Sequence, residues 1–451
     1  MNKFLKKALC LFTALTMTLS LSGCDAFLDA LNSALTPSSG SVSLEGSTSG
    51  GGSSELPDSS STGSSSTGGS SSTGGSTSTG GGSTGSSNSS SSGGGSVDPE
   101  LPDDSSTGGN SSTSGNSSTG GSGTVDPELP DEKTAKLDIH FLELGNKYTG
   151  DCTYIKAGDT DILIDAGSRK DSATTISSYV NQYCTDGKLE YVIATHAHQD
   201  HIAGFVGSNN QGIFDVYRVG TLIDFPRTES KTQIYSNYQA KRSSLIAKGT
   251  KHYTALQWWK EEQGLTRSIE IADGITMNVL YQKYYEQGAS EENDYSVCVM
   301  FSQGDSHYLF TGDLEKSGEE SLVQSNKLPK VKLYKAGHHG SKTSSNTALM
   351  SVIQPEIVCV CCCAGSSEFN AQPLNTFPTQ DFINRVAPYT DKIYVTSLSV
   401  NYSGDQTVSM NGNIIVSSTG GALTVNCSNN NTILKETAWF KANRTWPSNG
   451  V

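Results

Sequence analysis

Histidine is scarce in this chain, eight among 451 residues, and beyond residue 20 no apolar run is long enough to cross a bilayer. No later segment is therefore left to serve as a membrane-spanning helix. From about residue 37 to 124 aliphatic and aromatic side chains are almost missing too, and Ser, Gly and Thr replace them. Such a segment cannot offset the entropy of ordering and is expected to stay disordered. A flexible coil of roughly 90 residues has a root-mean-square span of about 50 Å, so it reads as a leash. "ELPDSSSTG" from Glu55 and "ELPDDSSTG" from Glu100 are imperfect copies. Solenoid repeats need an apolar face to stack, and these have none. A strong charge is missing from the remainder: the chain has three Lys and thirteen Asp or Glu through Glu132, and its residues from 133 onward include 28 basic against 32 acidic ones. That balance argues neither for nor against a polyanionic partner.

Residues 2–20, "NKFLKKALCLFTALTMTLS", join early Lys residues to a short apolar run, the pattern of an export signal. "LSGC", residues 21–24, resembles the lipobox of bacterial lipoproteins. That resemblance implies removal of residues 1–23, lipid on the Cys24 thiol, and an extracytoplasmic protein held to the cell membrane by its lipid alone. Residues 24–36 would be the anchor region and 37–132 the linker. The folded domain is expected over 133–451, with an insertion at 226–267 and a C-terminal hairpin at 405–427.

Ten cysteines are present, but a zinc knuckle needs two CxxC pairs and only Cys359 and Cys362 make one. Disulfides are possible outside the cytosol. "EIVCVCCCAG" nevertheless reads as a buried strand in which cysteine acts as a small core hydrophobe. "LDIHFLEL", "TDILIDAG" and "EYVIATH" are strand-like, "DSATTISSYVNQYC" and "EKSGEESLVQSN" have helical spacing, and "YSVCVMFSQGDSHYLFTGDL" reads as a hairpin. Grouped strands with interspersed helices predict layered α/β with mixed sheets. In "VSMNGNIIVS" the pair Asn411-Gly412 suits a type I′ hairpin turn.

"ATHAHQDHIAG", residues 194–204, concentrates the scarce histidines. It follows an apolar strand, so His196, His198, Asp200 and His201 fall where side chains converge at the end of a sheet. Imidazole with carboxylate is a ligand set for zinc or a similar ion, and four such groups exceed what one catalytic site takes from one loop. Two divalent metal ions, zinc or manganese, are implied.

Here the sequence resembles the metallo-beta-lactamase superfamily, over nearly all of residues 136–400. The resemblance implies a four-layer αββα sandwich with mixed sheets. It also implies roles: Asp165 in "ILIDAG" orients a metal-site loop, His196 and His198 bind one metal, and Asp200 and His201 bind the other. Asp313 in "YLFTGDLE" matches the bridging aspartate, and His338 in "KAGHHGS" the late histidine, with His339 as the other choice. Within the superfamily, "ENDYSV", "FTGDLE", "GHHGSKTSS" and "FPTQDFINRV" follow one another as in the extracytoplasmic domain of ComEC-type DNA-uptake proteins, which they resemble.

Two departures stand out. No histidine matches the third ligand of the first metal, since His252 falls in the polar insertion and His307 in a hairpin turn, both read as surface residues. Asn293, Asp294 and Ser296 are the candidates for that ligand or for a substrate contact, with water as an alternative. Phe377 stands before Pro378 where the ComEC-like pattern has histidine.

Paired divalent cations lower the pKa of a shared water and take up charge on a phosphoryl or carbonyl oxygen, so no Ser or Cys nucleophile is required. Asp200 or Asp313 could accept the proton, and Ser341, His339 or Lys342 could touch an anionic substrate. The hydroxyls of "SKTSSN" equally suit a helix N-cap. The insertion interleaves Lys241, Arg242, Lys248 and Lys251 with aromatics, which suits DNA by phosphate neutralisation and stacking, or a flap whose rings pack inward. The expected function is a surface-anchored, metal-dependent phosphodiesterase or nuclease acting on extracellular DNA. One alternative places a lactone, thioester or β-lactam in the same site. Another is a non-catalytic protein that binds DNA or a cell-wall polymer. No protein partner is inferred.

Overall fold

The computed structural model describes residues 134–370, 372–401 and 406–451. The export signal, Cys24 and the 37–132 linker lie outside the described residues.

The chain first lays down β1 (Leu137–Phe141), β2 (Thr153–Ala157), β3 (Thr160–Ile164), β4 (Lys188–Ile193), β5 (Arg218–Asp224) and β6 (Lys251–Thr254). Helices α1 (Ser172–Val180), α2 (Gln199–Val206), α3 (Ile213–Val216) and α4 (Gln233–Ala247) fall between them, and α5 (Ala255–Trp259) follows β6. Next come β7 (Ser268–Ala272), β8 (Ile275–Leu280), β9 (Cys298–Gln303), β10 (Ser306–Phe310), β11 (Leu333–Lys335), β12 (Ile357–Ala364), β13 (Ile393–Ser399) and β14 (Thr407–Ser409). With them run α6 (Lys316–Ser325), α7 (Thr347–Ile353) and α8 (Gln380–Val386). Strands β15 (Ile414–Thr419) and β16 (Ala422–Cys427), then α9 (Ala438–Asn443), close the chain.

Two mixed eight-stranded sheets result, ordered β16-β15-β1-β2-β3-β4-β5-β6 and β14-β13-β12-β11-β10-β9-β8-β7. Side-chain alternation explains how they stack. In β12 every residue is buried; Ile357, Cys359 and Cys361 join Phe141, Phe301 and Phe310 in one core, whereas Val358, Val360 and Cys362 join Leu322 of α6, Met350 of α7 and Phe382 of α8 in another. A strand apolar on both faces belongs between two packed layers. Ile176 of α1, Phe205 of α2 and Tyr238 of α4 cover the outer face of the first sheet. The order of layers is therefore αββα. All eight described cysteines are unbridged, and all but Cys427 are buried, as small core hydrophobes are.

The C-terminal hairpin turns elsewhere than Asn411-Gly412. Strand β14 pairs with β13 in the second sheet and β15 with β1 in the first, so "MNGN" crosses between sheets. A type I′ turn requires positive φ at both central residues, and of these two only Gly412 has it. Asn411 is instead fully buried, accepting from Val395 N and donating to the carbonyls of Asn430 and Thr432. The hairpin is β15–β16, turned at Gly420-Gly421.

The insertion is no detached flap. Its β6 extends the first sheet beside β5, and Tyr235, Tyr238 and Trp258 are buried in the core.

Candidate metal centre

Strands β3 and β4 run parallel, as do β10, β11 and β12, and the chemistry-bearing residues gather just past their carboxyl ends. His196 and His198 lie on the loop after β4, while Asp200 and His201 occupy the first turn of α2. Asp165, one residue past β3, takes the left-handed backbone that Asp tolerates better than most residues, with φ 58°. Its carboxylate accepts from Thr195 N (2.8 Å), Thr195 Oγ1 (2.7 Å) and His201 Nδ1 (2.7 Å). With Nδ1 committed there, His201 turns Nε2 towards the cluster, where displacement of its proton by a metal would free the lone pair, the usual carboxylate–histidine arrangement behind a metal ligand. Close packing holds the loop: a Cβ on Gly204 would lie 2.2 Å from Ala166 O, and one on Gly312 2.8 Å from Thr195 Cβ.

Asp313, three residues past β10, reaches this loop from the other sheet. Its Oδ2 is 3.0 Å from His201 Nε2, 3.4 Å from His339 Nε2 and 4.0 Å from His196 Nε2. Asp200 Oδ2 is 3.3 Å from His339 Nε2, and His196 Nε2 is 3.0 Å from His198 Nδ1. Ser296 supports the group from behind, accepting from Asp313 N at 3.0 Å and lying 3.4 Å from His196 Nδ1.

Of the adjacent histidines after β11, the fold sends His339 into the cluster. Both take positive φ, 45° at His338 and 54° at His339, so their side chains diverge. His339 is fully buried beside Asp200, His201 and Asp313, and one ligand atom from each of the four lies within 4.8 Å of the others. His338 places Nδ1 2.9 Å from Thr343 Oγ1 and 3.6 Å from Glu315. The sequence reading had favoured His338 as ligand and His339 as a substrate contact; the geometry reverses their order.

Burial disfavours charge on all these groups, but the carboxylates outweigh it at two histidines. Asp313 and Asp165 hold the His201 imidazole well above its ordinary value, and Asp313 and Asp151 push His339 up to about 10. His201 and His339 in turn hold Asp313 well below the carboxylate range. Burial, with His201 and His198 nearby, keeps His196 well below the ordinary imidazole value and thus neutral. Asp313 Oδ1 is buried with no hydrogen-bond partner in the protein. Clustered carboxylates that draw protons onto histidines, one neutral imidazole and an orphaned carboxylate oxygen form a donor set that fits a divalent cation of the zinc or manganese kind.

The other candidates lie around this centre. Asn293 donates to Glu315 Oε1 (2.9 Å) and lies 3.4 Å from His338 Nδ1. Asp294 accepts from Glu315 N at 3.1 Å and sits outside the four-residue cluster; burial pushes its carboxyl up to about 6. Lys342 is exposed. His307 is half-buried against Ser302, and His252 is bonded to the fully buried Asp224 at 2.9 Å, so neither joins the cluster.

The basic insertion offers less to DNA than its composition suggests. Arg242 forms a 2.6 Å ion pair with Asp224 and Lys241 one of 2.6 Å with Asp215, which engages both cations. A buried carboxylate must be paired, and this requirement captures Arg242. Lys248 and Lys251 remain exposed, while Tyr235, Tyr238 and Trp258 pack into the core and Trp259 lies half-buried against Tyr281 and Arg267.

Sequence reasoning passed over the groups behind the ligands. Asp151, in the Gly-Asp turn before β2, is buried in ion contact with Lys335 at the end of β11 and lies 3.1 Å from His339 Nδ1. Lys335 is 3% exposed; a lysine closing an apolar strand was the signal available. Arg385 of α8 donates to the carbonyls of Ser345 (2.9 Å), Lys342 (2.9 Å) and Ser344 (2.8 Å), while Glu319 of α6 accepts from Ser345 N (2.6 Å) and Asn346 N (2.7 Å). Together they clamp the loop that follows His339.

Residues 145–274 match the model of the Metallo-beta-lactamase superfamily. Recombination protein 2 of Haemophilus influenzae is 28% identical over 119 residues, 26% of this chain and 14% of that protein. Competence protein ComA of Neisseria gonorrhoeae is 25% identical over 249 residues, 54% of this chain and 29% of that protein. The chain thus spans less than a third of the length of these curated relatives. Among solved structures, the metallo-beta-lactamase fold protein YhfI of Bacillus subtilis aligns with a TM-score of 0.34 and 11% identity, covering 57% of this chain and 95% of that one.

Proposed function

The chain carries a metallo-beta-lactamase superfamily domain, and from that premise we propose a phosphodiesterase with two divalent metal ions, acting on DNA outside the cell and held to the membrane by lipid on Cys24. The observation that carries the reading is the convergence on Asp313 Oδ2 of His196, His201 and His339, side chains from both sheets, within 4.0 Å. Competence and recombination, in the names of the relatives, support DNA as substrate.

In this reading His196 and His198 would hold one cation, Asp200, His201 and His339 the other, and Asp313 would serve either. Bound there, the ions supply Lewis acidity and a water activated near neutral pH. The protein's own groups do the rest. Asp165 fixes the His201 tautomer, and Asp151 with the carbonyl of Cys361, 2.9 Å from His339 Nδ1, orients His339. Asp200 would accept a proton, and the exposed Lys342 would meet a phosphate.

The test is cleavage of single-stranded DNA by the purified protein loaded with manganese or zinc. Asp313→Asn and His198→Ala are expected to lower kcat by at least 100-fold, in the range lost when metal-site groups are removed. Hydrolysis of nitrocefin with intact DNA would transfer the site to acyl chemistry.

A further inference from the structure

We propose that Phe369 and Phe377 form a stacking shelf for a nucleobase beside the metal centre. The proposal rests on the phosphodiesterase reading and specifies which part of the nucleotide the site grips. Phe369 is 50% exposed and is the one phenylalanine, tyrosine or tryptophan among the described residues that lies open to solvent. Every other described aromatic is at least half used in packing. An apolar ring left in water costs stability unless it meets something else.

Its neighbours say what it meets. Phe369 stacks on Phe377 with centroids 5.6 Å apart and planes 27° apart. It lies 6.5 Å from the His339 ring at only 10° between planes, and Phe377 packs 6.0 Å from His339 and 5.7 Å from His338. The exposed ring is thus one stacking distance from a side chain of the metal cluster, about the separation between a phosphate and its own base. The shelf is held in place. Glu368, the preceding residue, accepts from Thr149 N (2.7 Å) and pairs with Arg169 (2.9 Å), and Phe377 O accepts from Gly365 N (2.9 Å) at the base of the loop.

Arg169, Lys170 and Asp171 line a cavity of about 480 Å³ together with Gln199, which directly precedes Asp200; Arg169 is held there by Glu368 and the Tyr148 ring, and Lys170 is exposed. An exposed aromatic face on which bases stack is one means by which proteins hold single-stranded nucleic acid without reading its sequence. Where the ComEC-like pattern has a histidine, this chain has Phe377. That exchange removes a titratable group and extends the apolar shelf.

The experiment compares two oligomers of equal length, oligo-dT and an oligomer of tetrahydrofuran abasic sites, with the manganese-loaded protein. The wild type is expected to favour oligo-dT about 10-fold in KM, the order of one stacked base. Phe369→Ala should lose most of that preference and Phe369→Trp should keep it. Anisotropy titrations of the metal-free protein should give the same order in Kd. A preference undiminished in Phe369→Ala, or none in the wild type, overturns the shelf. Failure of the wild type to cleave either oligomer overturns the phosphodiesterase reading, and the shelf with it.

Discussion

His140 shows how one side chain can carry a pH dependence far from the metal centre. It is buried among Tyr154, Tyr179 and Tyr183, with Nδ1 2.8 Å from Tyr179 Oη and Nε2 without a partner. Burial, only partly offset by Asp138, pushes its pKa down to about 4. A depressed histidine binds fewer protons folded than unfolded, so its contribution is complete above about 6.5 and disappears as pH falls through 4. The depression corresponds to roughly 3 kcal/mol. Urea titrations of wild type and His140→Phe should give similar stabilities at pH 7.5 and diverge towards pH 4, with the wild type losing more; parallel curves would refute the assignment. At this scale the sequence was readable where several ligands share one segment. Spacing alone gathered His196, His198, Asp200 and His201 into one short segment after β4, although Asp200 and His201 open α2 rather than lying on the loop. The sequence reading favoured His338 over His339, and the structure reverses that order because the choice depends on two left-handed backbone angles. Nor could spacing find the Asp151–Lys335 pair, whose members lie far apart in the chain.

Among the elements, α6 and α8 act on the site through the loop between them. Arg385 holds three carbonyls within 2.9 Å and Glu319 two amides, so the residues after His339 are gripped from both sides. Burial pushes Glu319 up to about 7. Replacing Arg385 by Met strands those acceptors and should cost about 2–4 kcal/mol of stability. It should also weaken metal affinity 10–100-fold in chelator competition, because the late ligand loses its support. Arg385→Lys should recover little, since an ammonium lacks the planar fork. The strands and helices themselves were legible from apolar periodicity, β12 most of all. The error at Asn411-Gly412 has a plain cause: a turn signal read locally cannot reveal that the strands on either side belong to different sheets. Likewise composition left the basic, aromatic insertion open between a nucleic-acid surface and a flap whose rings pack inward, because it does not say which way a tyrosine points; Tyr235 and Tyr238 point inward.

For the whole molecule, the centre draws its side chains from both halves of the sandwich, which also meet through apolar contact and through polar pairs such as Tyr308–Ser418 and Asp151–Lys335. Asp165 and the His196–His201 loop come from the first sheet, Asp313 and His339 from the second. Metal binding should therefore stabilise the sandwich as a unit: at 100 times Kd, by about 2.7 kcal/mol. Scanning calorimetry with zinc or manganese should show a higher Tm that EDTA reverses and that Asp313→Asn does not display. The layered α/β class was readable in the sequence because strands and helices occur in blocks; the strand order was not, since β15 returns to the first strand only after the second sheet is complete. Strand β12 offers one more use. Its four thiols sit in the middle of a sheet, unbridged and out of water. Alkylating reagents can reach them only through transient opening, so the chain contains its own stopwatch for breathing of the interior, readable by mass without any added probe.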